Sequence, residues 1–210
     1  MSPVLSAAAI TLENTIPTGN LFLQPPVLTG AAPVFGSGGG VVLADAFTAP
    51  VTATLAQVSV VVEYVMLPSF GVTGTAPMLL SLLSDNNNSP GSLLENWTVP
   101  LSPSDTTLTI VTVDSALHPS LLAGHQYWLS EVPTDPIHTG IGWGLASSAP
   151  PGIQLPIAES TTGTNSGWLP TTPTIANEFS VTGAVPEPAT LFLIAVGLLS
   201  VVTIRRMRDD

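Results

Sequence analysis

The chain of 210 residues contains no cysteine. Disulfides, thiolate metal sites and cysteine nucleophiles are therefore excluded, while the redox compartment stays open because a thiol-free chain suits any of them. Positive charge is almost as scarce. Lys and Arg number 3 against 14 Asp and Glu, the formal net charge is −11, and no basic side chain precedes Arg205. Such a body repels phosphate backbones and anionic headgroups alike, which argues against nucleic acid as a partner and against electrostatic docking of that body on lipid. Charged residues make up only 8% of the chain, unlike the surface of a helical cytosolic enzyme. Long apolar runs are missing too, with one exception at the C-terminus.

What the chain does contain is Pro (21) and Gly (18), with abundant Ser, Thr, Val and Leu, a composition of short strands joined by turns. Candidate strands are Val41 to Phe47, Gln57 to Val65, Met78 to Ser84, Leu93 to Val99, Thr107 to Val113, Gln126 to Val132, Gly140 to Ala146 and Asn177 to Gly183. Stretches such as "DNNNSPGS" and "SSAPPG" separate them. Period 2 is clearest in "TLTIVTV", where Leu108, Ile110 and Thr112 share one face and Val111 and Val113 the other; in "QYWLSEV" Tyr127 and Leu129 oppose Trp128. The spacing predicts an all-β fold, a β-sandwich of jelly-roll-like type over residues 12–183.

The exceptional run is Thr190 to Ile204, "TLFLIAVGLLSVVTI". As a helix rising ~1.5 Å per residue it covers about 22 Å, short of the ~30 Å hydrocarbon core. It spans if Arg205, Arg206 and Arg208 snorkel to the headgroups and the bilayer thins. The expectation is a single C-terminal transmembrane helix over 190–204 with a basic cytoplasmic tail at 205–210, which leaves the remainder outside the cytoplasm. Residues 184–189, with Pro186 and Pro188 unable to enter a helix interior, form an extended spacer ahead of it.

The segment "VPEPATLFLIAVGLLSVVTIRRMR" resembles a PEP-CTERM sorting signal. The motif Pro186, Glu187, Pro188 comes first, then a hydrophobic helix from Thr190 and Leu191 through the Gly197–Leu198 pair to Ile204, then the Arg cluster. The resemblance implies an exosortase as partner, an integral-membrane processing enzyme of Gram-negative bacteria that removes the tail near Pro-Glu-Pro. It implies an inner-membrane precursor whose product reaches the cell surface or an exopolysaccharide matrix. The two acids that end "RRMRDD" dilute the basic cluster. Less tightly, "LLSDNNNSPGSLLENWTV" and "LLAGHQYWLSEV" are similar to the choice-of-anchor domains found ahead of such tails, a resemblance that implies a surface β-sandwich with no catalytic residues.

The front end does not match an export leader. "MSPVLSAAAITLENT" has no basic n-region, although "SAAA" at Ser6 to Ala9 is similar to the small-residue end of a cleavage site. Residues 1–11 are read as the remnant of a truncated signal region, with the true start upstream of Met1.

Within the body, Asp85, Asn87 and Ser89 alternate as calcium-loop oxygens do, but Pro90 stands where that loop needs Gly and Glu95 comes too soon, which favours a surface turn. His118, His125 and His138 lack metal-site spacing, and no Gly-x-Ser-x-Gly elbow supports a hydrolase. No cofactor is expected. Trp97, Trp128, Trp143 and Trp168 offer stacking surfaces for sugar rings if they share an exposed face; otherwise they belong to the core. The reading is a non-enzymatic exported protein. A carbohydrate-binding module is the alternative and a secreted hydrolase the third choice.

Overall fold

A computed structural model of the chain describes residues 7–16, 23–30, 40–102, 107–145, 157–160, 167–171 and 177–186. One sheet is organised by its longest strand, β4 (Ala53–Val65). Along one edge β4 pairs with β13 (Phe179–Pro186) and then β10 (Gly140–Leu145); along the other it pairs with β8 (Ser120–Leu121) and β7 (Thr109–Asp114). The strand β1 (Ala7–Asn14) closes the sheet beside β13, and β2 (Leu23–Gly30) closes it beside β10. The second sheet runs β12 (Leu169–Thr171), β11 (Ile157–Ser160), β3 (Val42–Thr48), β9 (Gln126–Pro133), β5 (Met78–Asp85), β6 (Pro90–Val99). Every ladder is antiparallel.

The core lies between the sheets and is built by alternation. From β4 come Val58, Val60, Val62 and Tyr64, at even positions, but also Ala53 and Leu55, at odd ones. A bulge reconciles the two parities. Gln57 pairs with Thr182 and Leu55 with Gly183, so Ala56 is left over and the strand changes phase there. In β1 the same happens across from Thr182 and Val181, where the leftover Leu12 turns into the core. Gly183 makes room for both: a Cβ there stands 2.7 Å from the Ala53 Cβ and 3.0 Å from Leu12 Cδ1. Gly183→Val is expected to destabilise the fold by about 2 kcal/mol through overpacking, read as a lower denaturant midpoint with an unchanged slope.

The eight strands expected from the sequence are present with shifted ends. In β7 it is Val111 and Val113 that pack on the core, while Ile110 is exposed. On β9, Tyr127 and Leu129 enter the main core and Trp128 the opposite face, where Ala44, Ala46, Leu83 and Trp168 cover it. The paired sheet extends beyond residues 12–183 at both ends. Ala7 to Thr11, read above as leader remnant, are sheet residues because β13 offers them a free edge, and β13 itself continues to Pro186. Two-sheet all-β architecture is thus observed. The only helical turn among the described residues is Pro68–Phe70, and no helix among them is long and apolar enough to cross a membrane. The expected helix of Thr190 to Ile204 lies outside the described residues, as do Glu187, Pro188, Arg205, Arg206 and Arg208.

Candidate functional site

The C-terminal end of β13 is where the body meets the tail. Residues 180–184 are paired on both edges, with β1 and with β4, while Val185 and Pro186 pair with Ala8 and Ala7 of β1 alone. Phe179 and Val181 are fully buried, and Phe179 packs 6.2 Å from Phe47 and 6.4 Å from Trp143, ring centre to ring centre. Thr15 fastens the start of the strand: its hydroxyl donates to the Asn177 carbonyl at 2.7 Å and accepts from the Phe179 amide at 2.7 Å. Pro186, the first residue of the Pro-Glu-Pro motif, is therefore also the last residue of a structural strand.

Near this end the surface carries two adjoining depressions, of about 600 and 570 Å³, which share Ser84 and Asp85. Ser120, on the rim of the second, pairs with Thr54, whose other edge pairs with Ala184; the depression thus opens two strands from the end of β13. Asp85 organises both. Its Oδ1 accepts the Trp128 indole N–H at 2.9 Å and the Gln126 amide at 3.1 Å, and its Oδ2 accepts the Asn88 backbone N–H at 3.2 Å. Asn87 and Asn88 both have positive φ, 54° and 63°, which gives the tight two-residue turn that right-twisted hairpins favour. The Asp85, Asn87, Ser89 alternation is thus a hairpin tip with its carboxylate already engaged. Among the described residues no group of three or more His, Asp or Glu side chains is placed to hold a metal ion.

The four indoles have separate roles. Trp143 and Trp128 are 0% exposed, and Trp143 donates to the Glu178 carbonyl at 3.0 Å. Burial takes both out of the set expected to stack on sugars, since neither has an open ring face. Trp97 is half-buried and donates to the Asp114 carbonyl at 2.9 Å. Trp168, also half-buried, lines the larger depression among Ser84, Asn86, Ser89 and Ser92, and its indole nitrogen has no partner.

The histidines are scattered. His138 sits on the surface beside Asp135, with 3.0 Å between Nδ1 and Oδ2; burial acts to raise the Asp135 carboxyl, but bonds from the His138 ring and from the His138 and Ile137 backbone amides hold it below its usual range. His125 lines the second depression. His118 follows Ser115, yet its ring nitrogen lies 3.2 Å from the Leu55 carbonyl, and it is its backbone N–H that donates to the Ser115 hydroxyl. The Ser115 hydroxyl donates to Glu95 at 2.6 Å, and Glu95 also accepts the Ala116 and Leu117 amides. Burial pushes the Glu95 carboxyl up, but these bonds outweigh it and hold the carboxyl low. This constellation anchors the loop after β7; no imidazole is set to take the serine proton.

Interior acids were not singled out from the sequence. Asp45 and Glu131 project between the sheets from neighbouring strands, both 0% exposed. Burial raises Asp45 to about 7, although the Asn177 backbone amide, donating at 2.8 Å, acts to lower it. Burial raises Glu131 to about 8, opposed by the Thr29 hydroxyl donating at 2.6 Å. Glu178 is likewise raised by burial, to about 7. One oxygen each of Asp45 and Glu131 has no partner. Alternation carried the signal, since Asp45 shares a face with Leu43 and Phe47, and Glu131 with Tyr127 and Leu129.

No curated protein matches the chain. Comparison with protein-family models gives one finding at the C-terminal end, beginning two residues before the last strand stops: residues 184–208 match the PEP-CTERM protein-sorting motif, so the chain carries that sorting signal.

Proposed function

We propose that the chain is a non-enzymatic exported protein whose C-terminal signal is a disposable membrane tether. In this reading Thr190 to Ile204 halts in the inner membrane and Arg205, Arg206 and Arg208 stay on its cytoplasmic side. Pro186, Glu187 and Pro188 are presented to an exosortase, and the acidic sandwich goes on to the cell surface or the extracellular polysaccharide. The observation that carries it is the sorting motif on residues 184–208, which begins in the last residues of β13 of the two-sheet body. Intact-mass analysis of the protein from its native host, with and without the sorting enzyme, tests it. The tail is expected on the product only when the enzyme is missing; a tail retained in both strains refutes the proposal.

A second reading, a carbohydrate-binding role within that matrix, is favoured by the depression beside Trp168. Its lining pairs an indole with serine hydroxyls, an asparagine and the Asp85 carboxylate, and includes no Lys or Arg side chain. Such a surface suits neutral polyols and rejects nothing but strongly anionic ligands. Trp168→Ala is expected to weaken binding to a neutral polysaccharide of the host matrix at least tenfold in affinity electrophoresis. Equal retardation of both proteins counts against this site.

A further inference from the structure

The loop of residues 115–125, between β7 and β9, holds two leucines outward. Leu117 and Leu122 are 70% and 46% exposed, although the backbone beneath them is tied at both ends. Glu95 accepts the Ala116 and Leu117 amides, the Tyr127 hydroxyl accepts the Leu122 amide at 2.7 Å, and the Thr52 hydroxyl accepts the Ala123 amide at 3.0 Å. Leu121, between them in sequence, is fully buried. Neither leucine turns into the core without breaking these bonds.

Exposure alone selects no partner, since Phe70 is as open, at 52%, on the opposite end of the sandwich. Position distinguishes the two. Ser120 pairs with Thr54, and Thr54 pairs with Ala184 on its other edge, so the loop lies two strands, or about 10 Å, from the point where the matched sorting segment begins. Phe70 follows the other end of β4, roughly 35 Å away.

We propose that this loop rests on the bilayer while the tail is attached, with Leu117 and Leu122 seated among the lipid headgroups. The proposal rests on the sorting function above, in which the apolar run from Thr190 is in the membrane. Three residues stand between Pro186 and Thr190. Whatever conformation they take, covalent reach keeps Pro186 within about 14 Å of the start of that run.

Charge favours the same end. Residues 115–125 contain no carboxylate and two histidines, His118 and His125. The acids that flank the loop are engaged: Asp85 by Trp128, Gln126 and Asn88, Asp114 by the Gln57 amide, and Glu95 by the loop itself. Anionic headgroups repel the acidic body as a whole, so a loop free of carboxylates is the part that meets them with least repulsion. Two leucines offer too little apolar area to hold the body on lipid unaided. While the tail is attached it keeps the bilayer at a high local concentration and the weak contact forms. Removal of the tail ends it, so the surface that orients the precursor does not retain the product.

Because the chain has no cysteine, one fluorescent label can be placed at any chosen position. Full-length protein labelled at Leu117→Cys, Leu122→Cys or, as control, Phe70→Cys is reconstituted into vesicles of phosphatidylethanolamine and phosphatidylglycerol that contain a lipid with a headgroup nitroxide. The labels at 117 and 122 are expected to be quenched at least about twofold more than the label at 70. A label at Ser120→Cys is expected to lose this quenching when Leu117→Asp and Leu122→Asp are introduced together; quenching that persists overturns the part given to the leucines. Equal quenching at 117, 122 and 70 in protein that floats with the vesicles overturns the contact and leaves the tether standing. Protein that does not float with the vesicles overturns the tether and the contact together.

Discussion

A chain ended after Pro186 is expected to melt at the temperature of the full-length body, whereas one ended after Asn177 is expected not to fold. The first truncation removes none of the described pairing. The second deletes β13 from between β1 and β4, so that sheet loses its continuity and β1 loses its ladder partner among the described residues. Phe179 and Val181 leave the core, Trp143 loses the Glu178 carbonyl that accepts its indole N–H, and Thr15 loses the Phe179 amide. Emptying a buried Phe site alone costs about 3–5 kcal/mol, and a buried Val adds roughly 2 more. A domain holds about 5–15 kcal/mol in all, and the lost ladder comes on top. Circular dichroism during heating distinguishes the outcomes: a cooperative transition for the chain ending at Asn177 contradicts the central place given to β13.

Raising the pH from about 5 to 8.5 is expected to destabilise the body, lowering its melting temperature by on the order of 10 °C or more. The native state holds protons on Asp45, Glu131 and Glu178 that the unfolded chain, with ordinary carboxylates, releases near pH 4. Their folded values are raised, to about 7, about 8 and about 7. The native state therefore binds more protons throughout the window between. Stability from these groups is complete below the unfolded value, falls as pH rises toward 7 and 8, and is level above. At ~1.4 kcal/mol per pKa unit Asp45 and Glu131 each account for on the order of 4 kcal/mol. Glu95 and Asp135, whose carboxyls are held low, act in the opposite sense and lose their contribution only on strong acidification. Glu131→Gln keeps a neutral acceptor for Thr29 and is expected to remove about a third of the pH slope between pH 5 and 7, where Asp45 and Glu178 still titrate, while leaving the melting temperature at pH 5 nearly unchanged. A melting temperature that is flat from pH 5 to 8.5 in the parent protein contradicts the burial argument.

Several elements were legible in the amino-acid pattern because they obey one local rule. In β7 the Thr and Val alternation survives intact, and in β9 the Tyr127 and Leu129 face is the core face. Where the rule is broken locally, the reading fell short. The early part of β4 was missed because the bulge at Ala56 switches the inward parity. β2, with Pro25 and Pro26, was not among the expected strands; the sheet tolerates them because β2 is an edge strand and its register with β10 shifts between Val27 and Leu23. The first part of β1, Ala7 to Thr11, fell within the stretch read as leader remnant because its Ala-rich sequence is generic, and its partner lies at the far end of the chain, where no local periodicity can signal it. The role of Asp85 was hidden for the same reason: its partners Gln126 and Trp128 come from β9. The sorting signal was fully legible, since its features follow one another in fixed order within residues 184–208.

Transfer of residues 184–210 to an unrelated exported carrier, followed by the carrier's mass and location in the native host, tests most directly whether this segment alone is the address. The account predicts a carrier that reaches the cell exterior without the segment in the wild-type host and stays membrane-bound with it in cells lacking the sorting enzyme. A carrier that keeps the segment in both, or is released equally in both, contradicts it.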